Sequence, residues 1–445
     1  MTGEDSIVST APRTSGSVPA GAGDGGGDGA NTAAGGAAAV AANTTAGGAA
    51  AADAGAGIWH ETPIDAAAIA TATIDNDAAA IATATIDNDD AAIATAATTA
   101  AIAADPRPRT VVLQQYAGIG DLIWHIPYFR EAARRSRGGR VSVISQPSTL
   151  ARELLAHEPW IEEVIYYDHR RRKHDRATPR RHAGFPGMWR MARELKGRRF
   201  DRALFFTHRP NRAVVAWLAG IPRRSAYGFG WLQRLFLNEG PFIKPYRGPS
   251  LEVYRNASAF AIAHGLCAGP IVPKMTAPPG VVERMRRFVS GLPQPFYAFA
   301  IGTSEPGKQW GKQNFAALAT ELLRQGNGVL LAGGPAEDGL ACEIEAGVPA
   351  ELRGAIAHLT KAHILESVAA LSLARACIGN DTGAVNLSAA CNRPAYVVLG
   401  ARKLIDHDPL VHMLTAPRLS DITVADVLGL IRRTEAAEAG ASLSG

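Results

Sequence analysis

The sequence predicts an α/β protein: a low-complexity N-terminal tail followed by two Rossmann-like domains that face each other across a cleft. Three observations lead there. Residues 1–105 are almost entirely Ala, Gly, Thr and Asp, whereas the rest has the composition of a packed chain. From Arg109 onward, short β-rich apolar runs alternate with segments of helical spacing, the pattern of a parallel sheet covered on both faces. That alternation breaks once, in the Pro- and Gly-rich stretch near 268–295, and then starts again.

The elements follow in order. DAAAIATATIDN at 65–76 recurs at 77–88, and a decayed copy begins at Asp90. Its few Ile side chains could not offset the entropy of ordering it, so 1–105 is expected to be a disordered tail, with a short Ala-rich helix around 64–104 as the alternative. The first domain, 106–275, is expected to run through strands TVVLQQ (110–115), VSVISQ (141–146), EVIYYD and FDRALFF (200–206). Its helices are expected in LIWHIPYFREAARRS, ARELLAHEP, MWRMARELKG and RAVVAWLAG. The second, 285–422, is expected to use strands FYAFAIG, GVLLAGG, one near HLTK, ACIGN and AYVVLG. The segments FAALATELLRQG, 337–347, ESVAALSLA and AVNLSAAC are expected as its helices, and residues 423–445 as a closing helix and tail.

The chain has 445 residues, enough for two domains beyond the tail, and a formal charge of +5 that hides an asymmetry. The tail holds thirteen acids against one base, Arg13, so the remaining chain is strongly basic and suits an anionic partner: nucleic acid, a phosphorylated small molecule or a membrane surface. Cys267, Cys342, Cys377 and Cys391 form no CxxC pair, which predicts buried thiols in a reducing compartment and neither zinc nor disulfides. The acidic start MTGEDS has no basic n-region or apolar h-region, and no long uninterrupted apolar run follows. Neither a signal peptide nor a membrane span is expected, and a cytoplasmic location follows.

Several strand-to-helix turns carry the chemistry. In YAGIGD (116–121), Gly118 and Gly120 allow close backbone approach, and the amides at the helix start favour an anion. Asp121 in the first helical turn reads either as a cap or as a base pointing into the cleft, and His125 as a packed histidine before a catalytic one. GTSEPGKQWGKQ (302–313) puts Thr303, Ser304, Lys308 and Lys312 before a helix, an arrangement that suits a diphosphate without being a Walker A loop. In LLAGGPAEDG (330–339), Glu337 reads as a ribose partner or a cap. In IGNDTGAVNLSAAC, the turn Asp381, Thr382 and Gly383 can offer amides to phosphate and a carboxylate to sugar hydroxyls, ahead of a helix of tiny residues. The basic run HRRRKHDRATPRRH (169–182), with Arg170, Arg171, Arg172 and Lys173, reads as a solvated loop or as a cradle for a phosphorylated acceptor. It lacks interleaved aromatics and no recognition module is visible, so nucleic acid is not the expected partner.

Taken in order, GIGDLIWHIP, GTSEPGKQW, LLAGGPAEDG and IGNDTGAVNLSAACNRPAYVVLG resemble glycosyltransferase family 9, the lipopolysaccharide heptosyltransferases, over roughly 109–435. The resemblance implies a GT-B fold and inverting, metal-independent transfer of a heptose from ADP-heptose to a lipopolysaccharide inner-core acceptor, with no cofactor. It implies Asp121 as the general base, Lys308 as the counter-charge to the diphosphate with Thr303 and Ser304 in the same loop, and Asp381, Thr382 and Gly383 as the donor turn. It also implies Glu337 near the ribose. Asn386 stands where the family usually has histidine in this donor turn, and Gly311 where it has proline. A phosphorylated glycolipid acceptor, a monomer and a place at the inner face of the inner membrane complete the expectation. A protein hydroxyl acceptor, a catalytically silent nucleotide-sugar-binding protein and a sugar-nucleotide epimerase are the rival readings.

Overall fold

In the computed structural model, residue 102 and residues 104–169, 180–303 and 305–443 are described, with side chains to 437. They belong to one unit, Ala84–Gly445. Most of the expected tail, the basic residues Arg170, Arg171, Arg172 and Lys173, and Ser304 lie outside the described residues.

The first sheet contains β1 (Thr110–Gln114), β2 (Val141–Ser145), β3 (Ile161–Tyr166), β4 (Arg202–Phe206) and β5 (Arg223–Ala226) in the order β3-β2-β1-β4-β5. The second contains β6 (Phe296–Ala300), β7 (Gly328–Ala332), β8 (Ile356–Leu359), β9 (Ala376–Asn380), β10 (Ala395–Val398) and β11 (Val411–Leu414), ordered β11-β10-β9-β6-β7-β8. Every pairing is parallel. Each sheet grows outward in both directions from its first strand. The topological switch points therefore fall between β1 and β4 and between β6 and β9, where open α/β sheets leave a crevice at the strand carboxyl ends.

The strands are near-continuous apolar runs because both faces of each sheet are covered. Successive side chains separate into different cores. Val112 joins the layer between the domains, while Val111 and Leu113 enter the outer core of the first sheet. Likewise Ala298 and Ala300 face the inner layer, and Tyr297 and Phe299 the outer core of the second. The inner layer is continuous from one sheet to the other. It is built from α1 (Ile119–Arg134), α2 (Ala151–Leu155) and α6 (Glu252–Ala263) of the first domain. The second domain contributes α7 (Pro279–Phe288), α10 (Ile364–Leu373) and α11 (Gly383–Ala390). Outside the first sheet lie α3 (Gly184–Arg198), α4 (Pro210–Leu218) and the short α5 (Trp231–Arg234). Outside the second lie α8 (Lys312–Arg324), α9 (Asp338–Ala346) and α12 (Val424–Leu443).

The sequence expectations require two corrections. The stretch read as a linker contains α7, because Pro279 occupies the first helical position, where proline is tolerated, and Met285 buries one face of the helix. Of the four cysteines only Cys377 is buried as expected; Cys342 is exposed on α9, and Cys267 and Cys391 are half-buried. All four are free. Among the described residues no helix is long and apolar enough to cross a membrane.

Candidate active site

The turn after β1 shows how a short sequence sets the carboxylate of Asp121. Gly118 is the N-cap of α1 and Asp121 its third residue. The Gly118 amide donates to Asp121 Oδ2 at 3.0 Å. The cap and the proposed base are thus one arrangement: the helix start that attracts the carboxylate also orients it. Asp121 is half-buried. One turn on, His125 is fully buried against Phe129 and Phe206, with Nδ1 at 2.6 Å from the Asp121 carbonyl oxygen. Burial pushes its pKa down to about 4, so it packs as a neutral ring, in line with its first reading.

In the second domain, Asn380 at the end of β9 organises the site. It is fully buried. Its Oδ1 accepts from the Trp310 amide at 3.0 Å, and its Nδ2 donates to the Ile301 carbonyl at 2.8 Å and to Gln309 Oε1 at 2.9 Å. This ties the loop after β6 to the turn after β9. Lys308, carried on that loop, donates to Asp381 Oδ2 at 2.7 Å, with the two side chains only 15% and 16% exposed. Thr303 Oγ1 shapes the same loop through the Glu305 carbonyl at 3.0 Å. Thr382 caps α11, its Oγ1 accepting from the Ala384 amide at 3.2 Å. Glu337 accepts from the Gly334 amide at 2.8 Å. A Cβ added to Gly302 would lie 3.2 Å from the Glu337 carboxyl carbon, so Glu337 stands beside the Thr303 turn. Lys312 points elsewhere, pairing with Glu343 at 2.6 Å.

Close approach brings the two halves together. A Cβ on Gly120 would fall 2.9 Å from Asn386 Nδ2, and one on Gly383 would fall 2.9 Å from Ile119 Cβ. Only hydrogen at these positions lets the start of α1 lie against the start of α11. The Asp121 turn and the Asp381–Gly383 turn are therefore neighbours. Asn386 is almost fully buried in this joint. Its Oδ1 accepts from Trp124 Nε1 at 3.0 Å, and its Nδ2 donates to the Thr382 carbonyl at 3.0 Å. The same Trp124 N–H reaches His407 Nε2 at 3.0 Å, and Tyr254 packs on both rings. Burial pushes His407 down to about 4.

The structure adds four residues that the sequence reading had not singled out. Arg402, beyond β10, pairs with Glu305 at 2.9 Å and comes within 4.0 Å of Asp381 Oδ2, so a second cation stands beside Lys308. Asn380, Trp124 and His407 are the others. Asn380 adjoins the DTG turn and could have been found from it. Arg402, Trp124 and His407 are far from it in sequence and carry no local signal. Two cations and a cluster of amides at facing helix starts can hold a diphosphate, while a carboxylate across the crevice can accept a proton. Among the described residues there is no cluster of three or more His, Cys, Asp and Glu that could hold a metal.

The sequence profile described as glycosyltransferase family 9 (heptosyltransferase) matches residues 188–420. Lipopolysaccharide heptosyltransferase 2 of Escherichia coli K12 is 24% identical over 238 residues, covering 52% of this chain and 68% of the relative. Lipooligosaccharide heptosyltransferase 2 of Haemophilus influenzae is 31% identical over 128 residues, 28% of this chain and 37% of the relative. Among solved structures, E. coli ADP-heptose LPS heptosyltransferase II superposes with a TM-score of 0.59 at 21% identity, over 74% of this chain and 99% of that one. An E. coli heptosyltransferase with ADP-2-deoxy-2-fluoro heptose gives 0.55 at 19% identity, over 73% and 99%. These likenesses establish the GT-B fold. The profile spans more than half of the sequence and includes the turns at Lys308 and Asp381, and on that match the chain belongs to glycosyltransferase family 9, the heptosyltransferase family, and is a glycosyltransferase.

Proposed function

We propose that this chain transfers a heptose, with inversion, from ADP-heptose to a hydroxyl of a phosphorylated lipopolysaccharide inner-core acceptor, working as a monomer at the cytoplasmic face of the inner membrane. The observation that supports the reading is the contact between the two helix starts: Gly120 lies against Asn386 and Gly383 against Ile119, so the turn that carries Asp121 neighbours the Asp381–Gly383 turn.

Each step needs only groups on these turns. A sugar hydroxyl is a poor nucleophile, so the Asp121 carboxylate takes its proton as the new bond to the anomeric carbon forms. The bond from that carbon to the diphosphate oxygen breaks on the opposite face, and ADP leaves with the electron pair. Attack on one face and departure from the other invert the centre. Negative charge grows on the diphosphate, and Lys308, Arg402 and the amides of the Thr382–Gly383 helix start meet it. Protein cations thereby supply the counter-charge, which is the basis for proposing transfer without a metal. Thr303 and Ser304 face the phosphates in this reading, Asp381 and Glu337 accept from ribose or heptose hydroxyls, and Asn386 keeps the donor turn in register with α1. The run Arg170–Lys173 guides the phosphorylated acceptor.

The deciding experiment is Asp121→Ala. Transfer should fall by about two to four orders of magnitude, the usual worth of a general base, while ADP binding measured by calorimetry stays as in the parent. Unchanged turnover would remove Asp121 from the mechanism.

A further inference from the structure

Among the described residues, nine large apolar side chains stand exposed, and seven of them fall within residues 185–242. Trp231 is 73% exposed, Phe185 70% and Leu235 65%, with Trp189, Trp217, Leu232 and Phe242 completing the set. They are grouped in space as well as in sequence. α3 packs on α4 and α4 on α5, and α3, α4 and the residues just after α5 share one inner core on the first sheet, so their outer sides form a single face turned away from the second domain. Phe185 and Trp189 lie one turn apart on α3. Trp217 of α4 meets Phe236, just beyond α5, edge to face at 5.6 Å.

The charge on this layer is as one-sided as its apolar content. Residues 180–236 hold thirteen Lys and Arg against two acids, Glu194 and Asp201; Arg198, Arg202 and Arg223 pair with Glu163 and Glu239 and Arg212 is buried, so the exposed surplus lies on α3 and α5. Glu194 is occupied by Arg181 at 2.7 Å. The exposed Arg190, Arg193 and Lys196 run along α3 beside Trp189, and Arg234 lies on α5 beside Trp231. Exposed indoles set among arginines suit the headgroup layer of an anionic bilayer, where the rings sit at the polar boundary and each cation gains from lipid phosphate. Trp and Arg are also enriched at protein interfaces, so a second copy of the chain is the rival occupant that the test must exclude.

We propose that the outer α3–α4–α5 face docks on an anionic phospholipid bilayer, with Trp189, Trp217 and Trp231 at headgroup depth. The inference deepens the reading above and rests on it for one link, that docking brings a membrane-held acceptor to the crevice. The topology supports that link. β3 ends at Tyr166, and the His182 amide, two residues before α3, donates to the Asp168 carbonyl at 2.8 Å, so the start of α3 lies at the carboxyl edge of the sheet from which the Asp121 turn also springs.

The test uses the full chain and two kinds of vesicle, phosphatidylcholine alone and phosphatidylcholine with phosphatidylglycerol. The parent should co-sediment with the anionic vesicles, progressively less as salt rises, and its tryptophan emission should move to the blue. Trp189→Ser, Trp217→Ser and Trp231→Ser combined should weaken partitioning by about tenfold or more. These rings are half or more exposed, so the thermal midpoint should hold. Arg190→Glu with Arg193→Glu is the second arm and should give the same loss. Transfer to a lipid-free core oligosaccharide should continue at the parental rate in every variant, whereas transfer to a vesicle-held acceptor falls. Equal partitioning of the parent and the triple variant would overturn the proposal. So would a concentration-dependent dimer that the triple variant abolishes while vesicles capture nothing, which would assign the face to a second copy. Loss of the transferase reading would look different: no ADP release with any acceptor, and vesicle binding intact.

Discussion

Lys308→Ala probes the chemistry most directly. Its ammonium lies 2.7 Å from Asp381 Oδ2 in a pocket that leaves 15% of the side chain exposed. The group is thus held in place, and in the proposed mechanism it would lose little freedom as charge develops on the diphosphate. Removing one such preorganised donor costs about 3–4 kcal/mol in the transition state, on the order of two to three decades in rate. Arg402 tempers that loss, because its guanidinium already stands 4.0 Å from the same Asp381 oxygen and can turn toward the leaving group. Two unit charges at that spacing interact by about 4 kcal/mol at an effective dielectric of 20, before the cost of holding a long side chain still. The expected outcome is a fall of about a hundredfold in kcat and a rise of about tenfold in KM for the donor. Lys308→Arg should recover part of both. Combining Lys308→Ala with Arg402→Ala should be non-additive by about 1–3 kcal/mol, since both cations serve one anion. Steady-state ADP release and calorimetric ADP titration read the two effects separately. A Lys308→Ala enzyme within about threefold of the parent in kcat/KM would refute the argument, because no oxyanion donor of this kind is so dispensable.

Three further outcomes follow from the geometry. Asn380→Ala leaves the Trp310 amide without its buried acceptor and takes one of two donors from the Ile301 carbonyl, which should cost about 1–3 kcal/mol in chemical denaturation and lower kcat, because the Lys308 loop loses its anchor. Trp124→Phe keeps an aromatic ring, smaller than the indole, and removes the donor shared by Asn386 and His407; a destabilisation of about 1–3 kcal/mol is expected, with donor KM rising as the α1–α11 register loosens. Burial holds His125 and His407 at about 4, below their ordinary 6.5, so between those values the unfolded chain binds protons that the folded one refuses. Stability from these two rings is then complete above pH 6.5 and falls as pH drops toward 4, by roughly 3 kcal/mol for each at most. Thermal midpoints across that range should show the slope, and His407→Gln, whose carbonyl can still accept from Trp124, should flatten it.

What the sequence made legible was what short-range periodicity controls. Runs such as TVVLQ and GVLLA are apolar throughout because their sheets are covered on both sides, and the glycine turns after them announce helix starts. β5, RRSA, escaped that logic because it is an edge strand, half polar, whose Arg223 serves Glu239 instead of a core. β11, VHML, is likewise a half-buried edge. The site divides in the same way. Lys308, Asp381 and Asp121 sit on turns with a local signature, so each could be singled out before any coordinates. Arg402 could not, because what selects it is its distance from Asp381, and that distance is set by the neighbouring positions of β9 and β10 in the sheet. Asn386 is the instructive case. Compared by position it marks a lost histidine in a donor turn; placed in the fold it bridges Trp124 and the Thr382 carbonyl. An amide has an acceptor and a donor on one short side chain, which is what a joint between an indole N–H on one domain and a carbonyl on the other requires. The substitution therefore does not by itself argue for decay. The Asn386 amide sits in the seam between α1 and the Thr382 turn, and Trp124 and Asn386 should be judged as a pair.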